Sequence, residues 1–192
     1  MAVRIDIEGV EATSASPMAS RDPRHDAVYA FLAAREDQLT RLGAQLRGAG
    51  DLHELAWMVA DFAGRVLMLD DCVVYFTEPS GGSLRQYAAY GAKRKAERIF
   101  ENPIRLAVGE GVVGCAASLG APQLVPDTRL DPRYVVDDAS RLSELAVPFS
   151  YQARVYGVID SEHAEPDYYR SQHVHALKLI ADAAGPALSA LL

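Results

Sequence analysis

The chain is poor in cysteine, with only Cys72 and Cys115 among 192 residues, far apart and in apolar surroundings. That pattern offers neither a disulfide framework nor a CxxC metal site, and it points to a reducing compartment. Basic residues are also scarce, with 19 lysines and arginines against 26 aspartates and glutamates and a formal net charge of −7. Binding to nucleic acid or an anionic membrane usually needs a basic face, so both are disfavoured as primary roles. No apolar run approaches the ~18 residues of a membrane-spanning helix. The start, MAVRIDIEGVE, has no apolar stretch resembling a secretion signal. Repeats and low-complexity tracts are absent. The expectation is a cytoplasmic globular chain, 49% hydrophobic, of one domain with extensions. A core of that size needs no disulfide or metal.

In residues 1–24, Val3, Ile5 and Ile7 alternate with charges before a linker-like ATSASPMASRDP, so this segment is expected to be mobile. Over 25–47, Leu32, Arg35, Leu39, Leu42 and Leu46 recur at spacings of three and four, the seam of one helix that Gly48 and Gly50 end. The domain proper is expected over 51–192. Asp51 and Glu54 form a capping box for a helix to about Leu69, which buries Leu55, Val59, Phe62, Val66 and Leu69. DDCVVYFTEP and LRQYAAYG flank the turn PSGGS as a hairpin. The charged stretch 93–101 reads as a short helix and PIRLAV as a short strand. GEGVVG then opens a helix that Gly120 ends, and PQLVP is extended. Residues 121–142 carry too many turn formers for a regular element and read as a structured loop. A second hairpin follows, SELAVPFSYQARVYGVIDSEH, and then a helix over 171–191 that Pro186 should kink. This order gives an α+β fold: a central, mainly antiparallel sheet with the N- and C-terminal helices on one face.

The second hairpin raises a chemical question, because it places Glu144, Asp160 and Glu162 among valines and isoleucines. Alternation puts Leu145, Val147, Phe149, Val155, Gly157 and Ile159 on one face and the carboxylates on the other. If both apolar sets face the helices, a three-residue turn, Tyr151-Gln152-Ala153, is required. Glu144 then lies directly opposite Asp160. Pro148 suggests a bulge or an interrupted ladder. The carboxylate face needs a cover, and loop 121–142 supplies one with Asp127, Asp131, Arg133, Tyr134, Asp137, Asp138 and Arg141. Inward carboxylates under a polar loop describe a ligand pocket, to which Tyr75 and Tyr87 could also contribute. The competing reading is structural, with Glu144 paired to Arg133 or Arg141.

Taken in order, the Gly-Glu-Gly-Val-Val-Gly turn, the strand ending Val125-Pro126-Asp127, Asp131-Pro132-Arg133-Tyr134, Ser143-Glu144-Leu145-Ala146-Val147-Pro148 and Gly157-Val158-Ile159-Asp160 closely resemble a GAF domain. Asp160-Ser161-Glu162-His163 gives the flavour of sensory GAF modules of bacterial histidine kinases. The resemblance covers about residues 51–192. It implies a regulatory module binding a small molecule on the sheet face under the loop, with Tyr75, Tyr87, Asp127, Arg133, Tyr134, Asp137, Glu144, Asp160 and Glu162 as ligand-binding candidates. It also implies a homodimer and output through a signalling partner.

Subfamily markers narrow this further. Glu144, Asp160 and Glu162 look similar to the carboxylates that hold substrate in free methionine-(R)-sulfoxide reductases. The cysteines of that branch would fall near Val135 or Val136 and at Val113, and a hydrocarbon cannot replace a thiolate. No bilin-attachment or phosphodiesterase-type nucleotide signature is present. The expectation is therefore a non-enzyme with no catalytic residues, metal or cofactor; the alternatives are a reductase-like enzyme or a ligand-free dimerisation scaffold. GEGVVG formally matches a dinucleotide fingerprint, but the helix is short and no second βαβ unit follows, so its glycines read as turn residues. Cys72 and Cys115 read as small core residues. His163, His173 and His175 lack metal-site spacing. The seam Leu32, Leu39, Leu42, Leu46 is expected to dimerise, the alternative being that it folds back onto its own domain.

Overall fold

The computed structural model describes residues 22–91, 103–136 and 140–192. The expected mobile segment, up to residue 21, and the short helix at 93–101 lie outside the described residues, as does Asp137.

Helix α1, Pro23–Ala33, has proline at its first position, and the Asp22 carboxylate caps it by accepting the Arg24 amide hydrogen at 2.9 Å. Ala34 leaves the helical region at φ −108°, ψ 17°, and α2 follows as Arg35–Leu46. The one helix expected over 25–47 is therefore two. Propensity does not explain the break, since Leu32 and Ala33 before it and Arg35 and Glu36 after it are strong helix formers. Packing does: α1 buries Val28 and Phe31, α2 buries Leu42 and Leu46, and both segments lie against α3, Leu52–Val66, and α5, Ser171–Leu191. The leucine seam packs on its own domain, with Leu42 and Leu46 both 1% exposed. Leu32 and Leu39, the other half of the seam, are half-buried. Arg35 points to the surface and donates to the Leu32 carbonyl at 2.7 Å. The expected cap of α3 is present, with Asp51 accepting the Glu54 amide hydrogen at 2.8 Å and Glu54 accepting from Gly50 at 2.8 Å.

Among the described residues, six strands form one antiparallel sheet: β1 Asp71–Thr77, β2 Ser83–Gly91, β3 Arg105–Ala107, β4 Gln123–Val125, β5 Ser143–Tyr151 and β6 Arg154–His163. Their order is β3-β2-β1-β6-β5-β4. Four helices cover one face, where Trp57, Val74, Phe76, Val147, Phe149, Ile159, Leu177 and Ile180 are buried together. Burying each such side chain stabilises the fold by about 1.5–3 kcal/mol. Helix α5 continues through Pro186 to Leu191. The opposite face carries a smaller core, Val73, Tyr75, Ala146 and Val158, under α4, Gly111–Leu119.

The β5–β6 hairpin reaches the expected face by a different route. Its turn has two residues, Gln152 and Ala153, both at positive φ (49° and 59°), between the paired Tyr151 and Arg154. A two-residue turn alone would put the carboxylates on opposite faces of the sheet. A bulge between Phe149 and Ser150 restores the parity, because Ser150 pairs with Val155 but Phe149 pairs with Gly157. Glu144 therefore lies opposite Glu162, while Asp160 lies opposite Ala146. The expected Glu144–Asp160 pairing is corrected by two residues, and Val155, before the bulge, moves to the α4 side. Pro148 sits beyond the last β4–β5 pair, Gln123–Ala146, where β5 has an open edge.

Candidate functional site

The glycines of GEGVVG build the roof of a cavity on the α4 face. Gly109 and Gly111 hold φ of 94° and 67°, which turn the chain from β3 into α4. A Cβ on Gly114 would collide with the Ala107 carbonyl, so α4 lies tight against β3. Beneath it is a cavity of about 200 Å³. Its floor is Tyr75 of β1, Glu144 of β5, and Asp160 and Glu162 of β6. Its walls are Leu106 of β3 and Ile104 just before it, Val112 and Val113 of α4, and Val135 and Val136 of the loop. The three carboxylate residues are 3–5% exposed. Each is engaged in polar or electrostatic contact. Direct opposition of Glu144 and Glu162 is a like-charge pair, which costs stability unless a cation or a donor faces it.

The loop is stitched to this floor by Tyr134. Its hydroxyl accepts the Arg141 amide hydrogen at 2.9 Å and lies close to Glu162. Burial, with Glu162 and Glu144 nearby, pushes the phenol up to about 12, so it stays protonated and able to donate. On its other side β6 is held by Asp71, which accepts the Glu162 amide hydrogen at 2.7 Å.

Of the nine sequence candidates, the structure brings Tyr75, Glu144, Asp160 and Glu162 to the cavity, with Tyr134 close to its floor. Tyr87 is not brought there. The β1–β2 register shifts between Val74–Ala88 and Tyr75–Gln86, leaving Tyr87 as the extra residue of a bulge. It turns to the helix face, 5.1 Å from the Phe76 ring, with Arg85 over its own ring. Asp127 caps the 3₁₀ turn Thr128–Leu130 and holds Arg129 at 2.8 and 2.6 Å, an ion pair that lowers its pKa. Arg133 is held by Asp131 at 3.0 and 2.7 Å and by the Gln123 side chain at 2.9 Å, not by Glu144. Asp127 and Arg133 border a shallow cleft beside Leu130 instead. Sequence reasoning missed the apolar walls Ile104, Leu106 and Val112, for which side-chain type gave no signal. Cys115 is half-buried rather than core, with Sγ 3.5 Å from the Gly109 carbonyl and the Arg133 guanidinium alongside. Among the described residues, no group of three or more His, Cys, Asp or Glu could hold a metal ion.

A GAF-domain family model matches residues 49–189, most of the chain. The chain belongs to the GAF family. Solved GAF domains share its fold at low identity. The GAF domain of an Acinetobacter phosphoenolpyruvate-protein phosphotransferase is 17% identical at a TM-score of 0.70, covering 82% of this chain and 93% of that one. The free methionine-R-sulfoxide reductase of Neisseria meningitidis, solved with its substrate, is 16% identical at 0.69, covering 92% and 96%. A putative GAF sensor protein from Burkholderia vietnamiensis is 20% identical at 0.65, covering 86% and 98%. A search of curated proteins finds no match. In this GAF domain the positions expected to bear the reductase cysteines, Val113, Val135 and Val136, all face the cavity as hydrocarbon. No helix among the described residues is long and apolar enough to cross a membrane.

Proposed function

We propose that this GAF domain is a cytoplasmic regulatory module that senses a small molecule in the sheet-face cavity and acts through a partner protein, without catalysis. The observation that carries this reading is the set Glu144, Asp160 and Glu162, buried on one face at the floor of a cavity with apolar walls. Carboxylates so placed favour a ligand with an ammonium or guanidinium head, and the valines favour a short apolar body beside it. About 200 Å³ suits a ligand of roughly amino-acid size. A homodimer formed through the N-terminal helices would have Leu32 and Leu39 to offer, since Leu42 and Leu46 are already buried.

The reductase relative supports a second reading, because its fold covers most of this chain. That reading needs a thiolate at the cavity, and the cavity positions in question are valines. A thermal-shift screen of amines, guanidines, amino acids and neutral isosteres separates the two. Stabilisation by a cationic ligand without turnover supports the sensor. Thiol-dependent consumption of free methionine sulfoxide supports the reductase.

A further inference from the structure

Asp71 does not line the carboxylate cavity, yet it holds part of the cavity floor. The β1–β6 ladder runs from Phe76–Gly157 to Val73–Asp160 and stops there. Glu162 lies two residues beyond that last pair, on a stretch of β6 whose ladder partner is β5, opposite Glu144. Continued by two residues, the β1–β6 register sets Asp71 opposite Glu162. There the Asp71 side chain takes the place of the ladder, its Oδ1 accepting the Glu162 amide hydrogen at 2.7 Å. Strand alternation sets Asp71 on the face of Val73 and Tyr75, under α4, while Cys72 and Val74 pack with the helices. Asp71, Glu162 and Glu144 thus form one buried row across three strands.

The neighbouring backbone is fixed from the helix side. Ser161 donates its hydroxyl hydrogen to the Asp71 carbonyl at 2.6 Å, and its Oγ lies 2.7 Å from the Tyr169 hydroxyl. A serine has one hydroxyl hydrogen and a carbonyl only accepts, so Tyr169 donates to Ser161 and Ser161 donates to Asp71. Burial holds the Tyr169 phenol well above its ordinary pKa, and it keeps the proton it donates. Asp71 therefore grips β6 twice, by its side chain at Glu162 and by its carbonyl at Ser161. The anionic acceptor makes a strong, charge-assisted bond, but a second carboxylate buried beside Glu162 is unfavourable. That cost is offset where the Glu162 side chain has to keep one direction, because a ligating group about 1 Å out of place loses its bond.

We propose that Asp71 is a positioning residue of the carboxylate cavity, fixing the Glu162 backbone so that its carboxylate meets the cationic head of a ligand. This rests on the sensing reading above. Amide hydrogen exchange by NMR on the full chain, followed by titration with methylammonium, tests it in the wild type, Asp71→Val and Asp71→Asn. Valine suits a strand but offers no acceptor, whereas asparagine keeps an acceptor oxygen and loses only the charge. In Asp71→Val the Glu162 amide should exchange at least about tenfold faster, with Val158 and Ile159 inside the ladder unchanged, and methylammonium should bind about tenfold more weakly. Asp71→Asn should bring both back to within about threefold of the wild type, which an effect of charge alone or of general stability would not do. The proposal is overturned if the Glu162 amide stays protected in Asp71→Val, if that variant binds methylammonium as tightly as the wild type, or if Asp71→Asn behaves like Asp71→Val. If methylammonium does not bind the wild type, the cationic-ligand reading falls, and the exchange rates alone uphold or overturn the positioning of Glu162.

Discussion

Burying His173 as a neutral ring ties stability to pH. Burial, with His25 and Arg170 nearby, lowers its pKa from 6.5 to about 4. Between those values the unfolded chain takes up a proton that the folded chain refuses. The stability contribution is thus complete above about pH 6.5 and falls away as pH drops toward 4, by on the order of 3 kcal/mol. His163 shifts in the same direction through burial, opposed by Asp70. Urea unfolding at about pH 7 and about pH 4.5 should show this loss, and His173→Gln should remove most of the pH dependence; an unchanged slope in the variant contradicts the assignment. Backbone strain gives a second residue-scale prediction. Ala153 sits at φ 59° in the hairpin turn, so Ala153→Gly should stabilise the domain by about 1 kcal/mol in the same assay. A destabilised variant contradicts the strain argument. At this scale the floor carboxylates were legible because the apolar residues of each strand must face the helices, and turn and bulge together deliver that parity. Tyr87 was not, because a single bulge residue reverses the face and leaves no mark in composition.

The chain's elements show the same division. Both hairpins, the capped helix α3 and the GEGVVG entry to α4 followed from turn glycines, caps and periodicity. The break at Ala34 did not, since it comes from two helical segments seeking the same core. Register was half legible: parity depends on which residues must be buried, whereas the offset of two depends on turn length and bulge together. The seam makes a prediction at this scale. Leu42 is 1% exposed against its own domain, so Leu42→Ala should cost about 2–5 kcal/mol in urea unfolding. A variant of unchanged stability but altered mass by light scattering contradicts the packing and restores the seam to a partner chain.

At the scale of the whole molecule, one sheet separates two environments. Its helix face holds the large core, while the α4 face holds the small core and the carboxylate cavity. The GAF fold alone does not choose between sensing and catalysis, because relatives with either description share it. The choice rests on side chains. With valine at 113, 135 and 136, turnover of free methionine sulfoxide with a thioredoxin system should be undetectable, and robust turnover lost in Cys115→Ser would reverse that choice. The most direct measurement is calorimetric titration of the best cationic hit from the amine and guanidine screen into the wild type, Glu144→Gln and Asp160→Asn. The account predicts binding to the wild type that weakens by about 1.5–3 kcal/mol in each variant, one charge-assisted hydrogen bond at a time. Equal affinity in all three proteins, or no cationic ligand that binds at all, contradicts it.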